Sequence, residues 1–206
     1  MKKKKKKTIK LRWAVLFSHP ADYTPVCTTE LGAVAKYAAA GEFAKRNTKI
    51  CAISCDVVES HKGWIEDIKS SQGINCEFPF PIIADPGRDL AVKFGMLDPD
   101  EKDAKGLPTT ARAVFVIGPD KRLKLSILYP ATTGRNFDEL LRVIDSLQLT
   151  AKYSVATPAN WKDGDKVMIT PNLSEEEAKE RFPNGWSTVE VPSGKKYIRL
   201  TEQPNK

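Results

Sequence analysis

The residue best placed to do chemistry in this sequence is Cys27, which lies in the segment Thr24-Pro25-Val26-Cys27. Threonine is a favourable helix N-cap, and proline suits the first helical position because the N–H that it lacks is not needed there. Cys27 is therefore predicted to lie in the first turn of a helix. The partial positive charge at that end favours the thiolate, which is the nucleophilic form of cysteine.

This placement allows a reaction but does not prove one. The Thr24 hydroxyl and the free N–H groups of the first turn could hold an oxygen-rich substrate while the Cys27 sulfur attacks it. The alternative is a structural cysteine, because free cysteine is often buried and inert. Local physics leaves both interpretations open.

The other cysteines are Cys51, Cys55 and Cys76, and no pair of cysteines forms a C-x-x-C motif. A secreted disulfide scaffold is thus not expected. The histidines, His19 and His61, do not pair with cysteines at zinc-finger spacing, so we predict no metal and no cofactor. Strand alternation predicts core packing for Cys51 and Cys55, whereas Cys76 lies in a loop-like segment and is expected to be exposed.

The formal net charge of +7 is concentrated at one end of the chain. The seven lysines among the first ten residues account for all of it, since no acidic residue lies there. We expect a solvated tail over residues 1–10 and no nucleic-acid partner, although such a run can steer toward anionic surfaces. The apolar run Trp13 to Phe17 is far shorter than the ~20 residues that span a bilayer, so no membrane association and a cytoplasmic location are predicted.

Strand and helix patterns alternate along most of the chain. Two β-rich runs are joined by Gly118-Pro119-Asp120-Lys121, which is typical of a hairpin, and Asn136 is a candidate N-cap for the helix that follows. Gly41 is a candidate break in the first long helix. The predicted strands cover 11–18, 49–54, 81–84, 112–117 and 123–129, and the predicted helices cover 28–47, 60–69, 88–94 and 137–147.

This order predicts an α/β fold of thioredoxin-like type, with a mixed sheet flanked by helices. Beyond residue 150 the sequence becomes rich in Pro, Asp, Asn and Gly, with a short helix begun by Ser174 and Glu177 in capping-box register. We therefore predict a lysine-rich tail at 1–10, a main domain at 11–149 and a small C-terminal domain at 150–206.

The run Pro20-x-x-x-Thr24-x-x-Cys27 matches the active-site signature of the peroxiredoxins, and residues 17–30 closely resemble the one-cysteine subgroup of that family. The similarity continues through residues 81–85, 106–112 and 128–136, and it covers roughly residue 13 to the C-terminus. It implies that Cys27 is the peroxidatic cysteine, that Arg112 supplies positive charge beside the sulfur, that Thr24 binds the peroxide and that Pro20 shields the pocket.

The same resemblance gives weaker assignments to three neighbours. His19 could approach the sulfur or a sulfenate, Glu30 could orient Arg112, and Arg135 could line the pocket. Structural roles stay open for each of them.

The implied activity is a thiol-dependent peroxidase that reduces hydrogen peroxide and organic hydroperoxides through a sulfenic acid on Cys27. No cysteine follows Cys76, so the resemblance implies an external reductant, either glutathione or a protein thiol. It also implies a homodimer and a role in antioxidant defence. The alternative is a peroxiredoxin-derived chaperone or redox sensor without efficient turnover.

Two departures from the family pattern bear on these expectations. Relatives usually have more chain before the first buried strand, including a β-hairpin, so we expect part of the N-terminal sheet to be missing. Some also carry a Gly-x-Ser-x-Gly element there, where this sequence has Lys10-Leu11-Arg12-Trp13-Ala14. Without that serine, no serine-dependent lipid hydrolysis is expected.

Overall fold

A computed structural model describes residues 11–204 of the chain. The lysine-rich tail predicted for residues 1–10 lies outside the described residues. The chain divides into two compact units, the first ending at Phe137 and the second beginning at Asp138. The domain bounds predicted from the sequence, 11–149 and 150–206, stay a prediction, and they differ from this division in the placement of the helix Phe137–Lys152.

The first unit is built on a five-stranded mixed sheet. Its strand order is β3-β2-β1-β6-β7, with β1, β2 and β3 parallel and with β6 antiparallel to both β1 and β7. The thioredoxin-like mixed sheet is confirmed. The elements in chain order are β1 Trp13–Ser18, α1 Pro25–Ala39, α2 Glu42–Lys45, β2 Thr48–Ser54, α3 Val58–Gln72, β3 Ile82–Ala84, α4 Asp89–Lys93, β4 Leu97–Lys102, β5 Pro108–Thr110, β6 Arg112–Ile117 and β7 Leu123–Tyr129.

The central strand β1 carries the chain directly into the loop before Cys27. β1 pairs with β2 on one side and β6 on the other, and its Val15 and Phe17 are fully buried. Strands buried on both faces read as continuous apolar runs, which is the pattern of this segment. The loop of residues 19–24 therefore starts from a strand that is paired on both sides and buried.

Helix α1 begins earlier than the predicted range 28–47 and ends sooner. It starts at Pro25, which agrees with the cap signals, and buries Leu31, Val34 and Ala35 at helical spacing. Gly41 adopts a left-handed φ of 79°, a conformation that glycine accepts without a steric penalty, and it separates α1 from the short helix α2. The predicted break at Gly41 is confirmed.

The sequence patterns did not predict one pair of antiparallel strands, β4 and β5. Strands β4 and β5 pair with each other, with a register shift between Asp98 and Lys102. The β4 segment is Leu-Asp-Pro-Asp-Glu-Lys, and proline and acidic residues are depleted in strands. Its pairing is set by tertiary context, which local propensity does not report.

Helix α5 spans Phe137–Lys152, and all of it after Phe137 belongs to the second unit; it is five residues longer than the predicted 137–147. A four-stranded sheet follows in the order β10-β11-β9-β8, with Trp161, Val167 and Ile169 buried in its apolar cluster. The predicted capping box is confirmed, since Ser174 Oγ accepts from the Glu177 N–H and Glu177 Oε2 accepts from the Ser174 N–H. The remaining elements are β8 Val155–Ala156, β9 Val167–Ile169, α6 Glu175–Arg181, β10 Ser187–Thr188 and β11 Arg199–Thr201.

Within residues 11–204, no helix combines the length and apolarity that crossing a lipid bilayer requires.

Candidate active site

Cys27 lies in the first turn of α1 and is completely buried, with 0% of its surface exposed. Thr24 occupies the N-cap position in an extended conformation, and Pro25 is the first helical residue. The Thr24 side chain does not cap the helix; its Oγ1 donates to the Ala21 carbonyl at 2.9 Å. The hydroxyl oxygen therefore keeps its capacity to accept a hydrogen bond next to the cysteine.

Arg112, the first residue of β6, brings a positive charge to the sulfur. Its Nη1 lies 3.3 Å from Cys27 Sγ, and the side chain is buried. Nε and Nη2 both donate to the Ala131 carbonyl, at 3.0 and 2.6 Å, and Nη1 also donates to Glu30 Oε2 at 2.7 Å. The guanidinium stays charged, and its hydrogen bonds to Ala131 and Glu30 hold it in a fixed position beside the sulfur.

Glu30, one turn after Cys27, ties two arginines together. It accepts from Arg112 Nη1, and it accepts from Arg135 at the backbone N–H, Nε and Nη2 at 2.8, 2.9 and 2.8 Å. Burial alone would raise the pKa of Glu30, but the hydrogen bonds and charge of Arg135, with the charge of Arg112, outweigh burial and lower it. Glu30 is therefore ionised and bonded to Arg112, and its expected role in orienting Arg112 stays a prediction.

The charges of this buried cluster balance in one state of the sulfur. Two guanidinium groups face one carboxylate, which leaves one positive charge next to Cys27. An uncompensated buried charge is costly, and a thiolate on Cys27 supplies the missing negative charge. The cluster thus places a net positive charge beside the cysteine, in addition to the N-terminus of α1.

Arg135 supports Glu30, and its hydrogen bonds go to Glu30 and Ala113. Besides its three bonds to Glu30, it donates Nη1 to the Ala113 carbonyl at 2.9 Å, and its guanidinium lies 5.5 Å from the Phe17 ring centroid. All of these contacts anchor it on the side of the carboxylate. Its expected place in the lining of the pocket stays a prediction.

His19 and Pro20 lie at the end of β1 and are both buried. His19 Nε2 bonds to Asp22 Oδ1 at 2.8 Å, and its ring packs 5.0 Å from the ring of Trp64. Burial lowers the pKa of His19 more than Asp22 raises it, so the ring is neutral. The bonds of the His19 side chain run to Asp22, and its expected approach to the sulfur stays a prediction.

Asp22 and His61 were not singled out from the sequence, yet both belong to the neighbourhood of the site. Asp22 Oδ2 accepts from His61 Nδ1 at 2.7 Å and from Ser60 Oγ at 2.8 Å. Asp22 lies inside the family-like segment, but its partners on α3 are almost forty positions away. The sequence offers no local signal for such a pair.

The other cysteines depart in part from expectation. Cys51 and Cys55 are only half-buried, so the core packing predicted for both is wrong. Cys55 follows the last residue of β2, Ser54, and strand alternation does not extend to it. Burial raises the pKa of both thiols, which disfavours their reactive forms. Cys76 is exposed, as predicted.

His19, Asp22 and Asp56 are the types of residue that bind metals, and their ligand atoms lie within 4.8 Å of one another. These atoms are already hydrogen-bonded within the protein, since His19 bonds to Asp22, and Asp56 Oδ2 accepts from the Asp22 N–H and from Ser54 Oγ. His19 Nε2, Asp22 Oδ1 and Asp56 Oδ2 are therefore hydrogen-bonded without an ion. The prediction that the site needs no metal stays a prediction.

An open groove of about 360 Å³ runs beside the N-terminus of α1. Thr24 is one of its walls, and Trp64 of α3 forms part of another. Trp64 Nε1 also donates to Thr28 Oγ1 at 3.0 Å, which joins the two helices along the groove. The groove is lined by Tyr23, Thr24, Pro25, Thr28, Thr29, Trp64, Asp67, Ser71 and Gln72.

Comparison with known proteins agrees with this geometry. Residues 1–126 match the AhpC/TSA family, and residues 146–185 match the C-terminal domain of 1-Cys peroxiredoxin. The chain is 64% identical to Peroxiredoxin-6 of Homo sapiens over 197 residues, and 63% identical to Peroxiredoxin-6 of Gallus gallus over 194 residues. Each alignment covers 93% of this chain and 86% of the relative.

Solved structures give the same result. A mutant of Peroxiredoxin 6 from Arenicola marina superposes with a TM-score of 0.91 at 60% identity, covering 95% of this chain and 87% of that one. A yeast mitochondrial 1-Cys peroxiredoxin, described with its thiol resolving mechanism via glutathione/thioredoxin systems, superposes with a TM-score of 0.80 at 44% identity. That match covers 93% of this chain and 87% of the yeast chain. The chain therefore belongs to the peroxiredoxin family, in its one-cysteine branch.

Proposed function

We propose that this chain reduces hydrogen peroxide and organic hydroperoxides with Cys27 as the nucleophile, and that an external thiol regenerates it. As a peroxiredoxin, the chain is a thiol peroxidase. The observation that carries the assignment to Cys27 is its position in the first turn of α1, 3.3 Å from the Arg112 guanidinium. A helix N-terminus and a fixed cation both favour the thiolate.

The reaction is a displacement at oxygen. The Cys27 thiolate attacks one oxygen of the peroxide, so that an S–O bond forms and the O–O bond breaks. The sulfur is oxidised to sulfenic acid, and the departing oxygen takes a proton and leaves as water or an alcohol. Arg112 stabilises the negative charge that moves from the sulfur to the leaving oxygen.

Thr24 and Pro20 complete the proposed site. The Thr24 hydroxyl donates to the Ala21 carbonyl, and therefore its oxygen is available to accept the O–H of a bound peroxide. The buried Pro20 offers no N–H and shields the sulfur from solvent. Glu30, held by Arg135, keeps Arg112 in place, and His19 helps to hold the loop before α1.

Regeneration requires two equivalents of thiol. One thiol attacks the sulfenic acid, releasing water and forming a mixed disulfide, and a second thiol releases Cys27 and leaves as the disulfide. The raised pKa values of Cys51 and Cys55 make them poor internal reductants, which supports an external one. Glutathione or a protein thiol fits this role.

The direct test measures peroxide consumption by the wild type and by Cys27→Ser, with glutathione or a dithiol as reductant, followed by mass spectrometry of the oxidised protein. We expect turnover by the wild type only, with one added oxygen on Cys27. Cys76→Ser serves as the matched control, because it removes an exposed thiol and should leave turnover unchanged. Turnover by Cys27→Ser would refute the assignment, and a folded wild type that is oxidised only once would favour a redox sensor.

We also propose that the chain forms a homodimer and works in the cytosol. β7 is an edge strand of the sheet and exposes Leu123 and Leu128, which supports pairing with a second copy. All four cysteines are free, which fits a reducing compartment. Light scattering of wild type and Leu128→Lys tests the dimer, and cell fractionation tests the compartment; a monomeric wild type or a secreted protein would contradict these proposals.

A further inference from the structure

Asp22 is the centre of a buried hydrogen-bond cluster beside the catalytic loop. Its side chain is 1% exposed, and its two oxygens accept three bonds, from His19 Nε2 at 2.8 Å, His61 Nδ1 at 2.7 Å and Ser60 Oγ at 2.8 Å. Its backbone N–H donates to Asp56 Oδ2 at 3.0 Å. Four bonds therefore converge on one loop residue that the proposed peroxide chemistry does not use.

These bonds join parts of the chain that are far apart in sequence. Asp22 lies in the loop of residues 19–24, whereas Ser60 and His61 belong to the first turns of α3 and Asp56 follows β2. The loop contains Pro20 and Thr24 and leads directly into the turn that holds Cys27. Fixing Asp22 thus fixes the approach of the chain to the reactive sulfur.

The electrostatics of the cluster make this attachment strong. Hydrogen bonds from His19 and His61 outweigh the cost of burying Asp22 and lower its pKa, so that the carboxylate is charged. Burial lowers the pKa of His61, but the bond to Asp22 and its charge outweigh burial and raise that pKa. Charge-assisted bonds of this kind are shorter and stronger than neutral ones.

The same bond determines which nitrogen of His19 carries the proton. An ionised carboxylate only accepts, so His19 must donate through Nε2. A neutral ring then has a bare lone pair on Nδ1. Within the described residues, this buried Nδ1 has no hydrogen-bond partner, which is unusual for a buried polar atom.

We propose that Asp22 is a positioning residue of the peroxidase reaction, which locks the loop of residues 19–24 onto α3 and holds His19 with its proton on Nε2 and a free acceptor at Nδ1. Asp22 acts through His19, Pro20 and Thr24 and does not touch the peroxide. This inference rests on the proposed function of Cys27 and deepens it.

The first test uses the wild type alone. The chain has only two histidines, so the ¹⁵N spectrum of their side chains is simple to assign. At neutral pH we expect His19 to be neutral, with a protonated Nε2 and a bare Nδ1. If His19 carries its proton on Nδ1, or is doubly protonated, the proposal is wrong whatever the variants do.

The second test is Asp22→Asn, which replaces two accepting carboxylate oxygens by one accepting oxygen and one donating NH2 group, so that one of the two imidazole rings must face a donor. We expect the ¹⁵N pattern of His19 to change and the second-order rate of Cys27 oxidation by hydrogen peroxide to fall about 10- to 100-fold, the range expected when reacting groups are misplaced. The rate is taken per folded molecule, so a loss of stability alone does not produce it.

Two matched variants separate positioning from general damage. Asp100→Asn makes the same change of charge at an exposed site and should alter neither the spectrum nor the rate. Ser60→Ala removes one of the three bonds to the carboxylate but keeps both histidine bonds, so His19 should keep its tautomer and the rate should fall less than 3-fold.

The outcomes for Asp22 and for Cys27 can be told apart. If folded Asp22→Asn oxidises at the wild-type rate with an unchanged His19 spectrum, the positioning role is refuted while the peroxidase assignment stands. If the folded wild type does not react with peroxide at Cys27, the proposed function itself fails.

Discussion

Replacing Arg112 by methionine tests the central electrostatic claim about the site. Arg112 Nη1 lies 3.3 Å from Cys27 Sγ. Two unit charges at that separation attract by about 1.3 kcal/mol in water and about 5 kcal/mol at an effective dielectric constant of 20. Since about 1.4 kcal/mol corresponds to a tenfold change in an equilibrium constant, Arg112→Met should lower the ratio of thiolate to thiol on Cys27 roughly 10-fold to a few thousand-fold.

The assay is the rate at which iodoacetamide alkylates Cys27 at neutral pH, followed by mass spectrometry, together with the rate of oxidation by hydrogen peroxide. Both rates depend on the thiolate, so both should fall in Arg112→Met. Oxidation should fall further, because the variant also loses the cation that stabilises the leaving oxygen. Circular dichroism establishes that the compared molecules are folded.

Two other variants sharpen the result. Arg122→Met removes an exposed guanidinium from the turn between β6 and β7 and should leave both rates unchanged. Arg112→Lys keeps the charge but not the paired donors to Ala131 and Glu30, so its alkylation rate should lie between those of wild type and Arg112→Met. Alkylation and oxidation of folded Arg112→Met within twofold of wild type would show that Arg112 does not stabilise the thiolate.

Three further outcomes follow from the same contacts. Glu30→Gln leaves two buried guanidinium groups without their shared carboxylate, so denaturant unfolding should show a loss of about 3–5 kcal/mol, against almost none for the exposed Glu66→Gln. Thr24→Val should lower the rate of peroxide oxidation by about 10-fold or more without changing the alkylation of Cys27, whereas Thr24→Ser should react normally; equal effects on both rates would contradict a role in binding peroxide. The pKa values of Asp22 and Glu30 are lowered in the folded state, so their stabilising contribution is present above the unfolded values near 4 and is lost as the pH falls below them. Unfolding free energies measured from pH 7 to pH 3 should therefore fall less steeply in a folded Glu30→Gln variant than in the wild type.

The sequence was sufficient where a signal is local. Thr24 and Pro25 predicted the start of α1 and the place of Cys27 in its first turn, and Gly41 marked the break that follows. The antiparallel pair β6 and β7 matches the predicted strands residue for residue, because alternation and a turn between them fix both ends. These features depend on neighbours within a few positions.

The sequence was insufficient where partners are distant. Nothing near Arg112 in the chain indicates that it meets Cys27, which is 85 positions away, and only the family resemblance supplied that pair. The partners of Asp22 could not be predicted for the same reason, since its bonds to Ser60 and His61 depend on how α3 packs beside the loop. A strand such as β4 is likewise defined by its pairing with β5 and not by its own residues.

The complete burial of Cys27 affects its oxidation by peroxide and its reduction by a thiol in opposite ways. Hydrogen peroxide is small enough to react in a closed site, where fixed charges act strongly, but glutathione or a protein thiol is much larger and must reach the same sulfur. We therefore expect the first turn of α1 to open before the sulfenic acid is reduced. Because Asp22 anchors the loop that leads into this turn, we expect Asp22→Asn to slow oxidation and to speed the reduction of oxidised Cys27 by glutathione. A variant that slowed both steps equally would instead indicate that the Asp22 cluster supports the fold without controlling access to the sulfur.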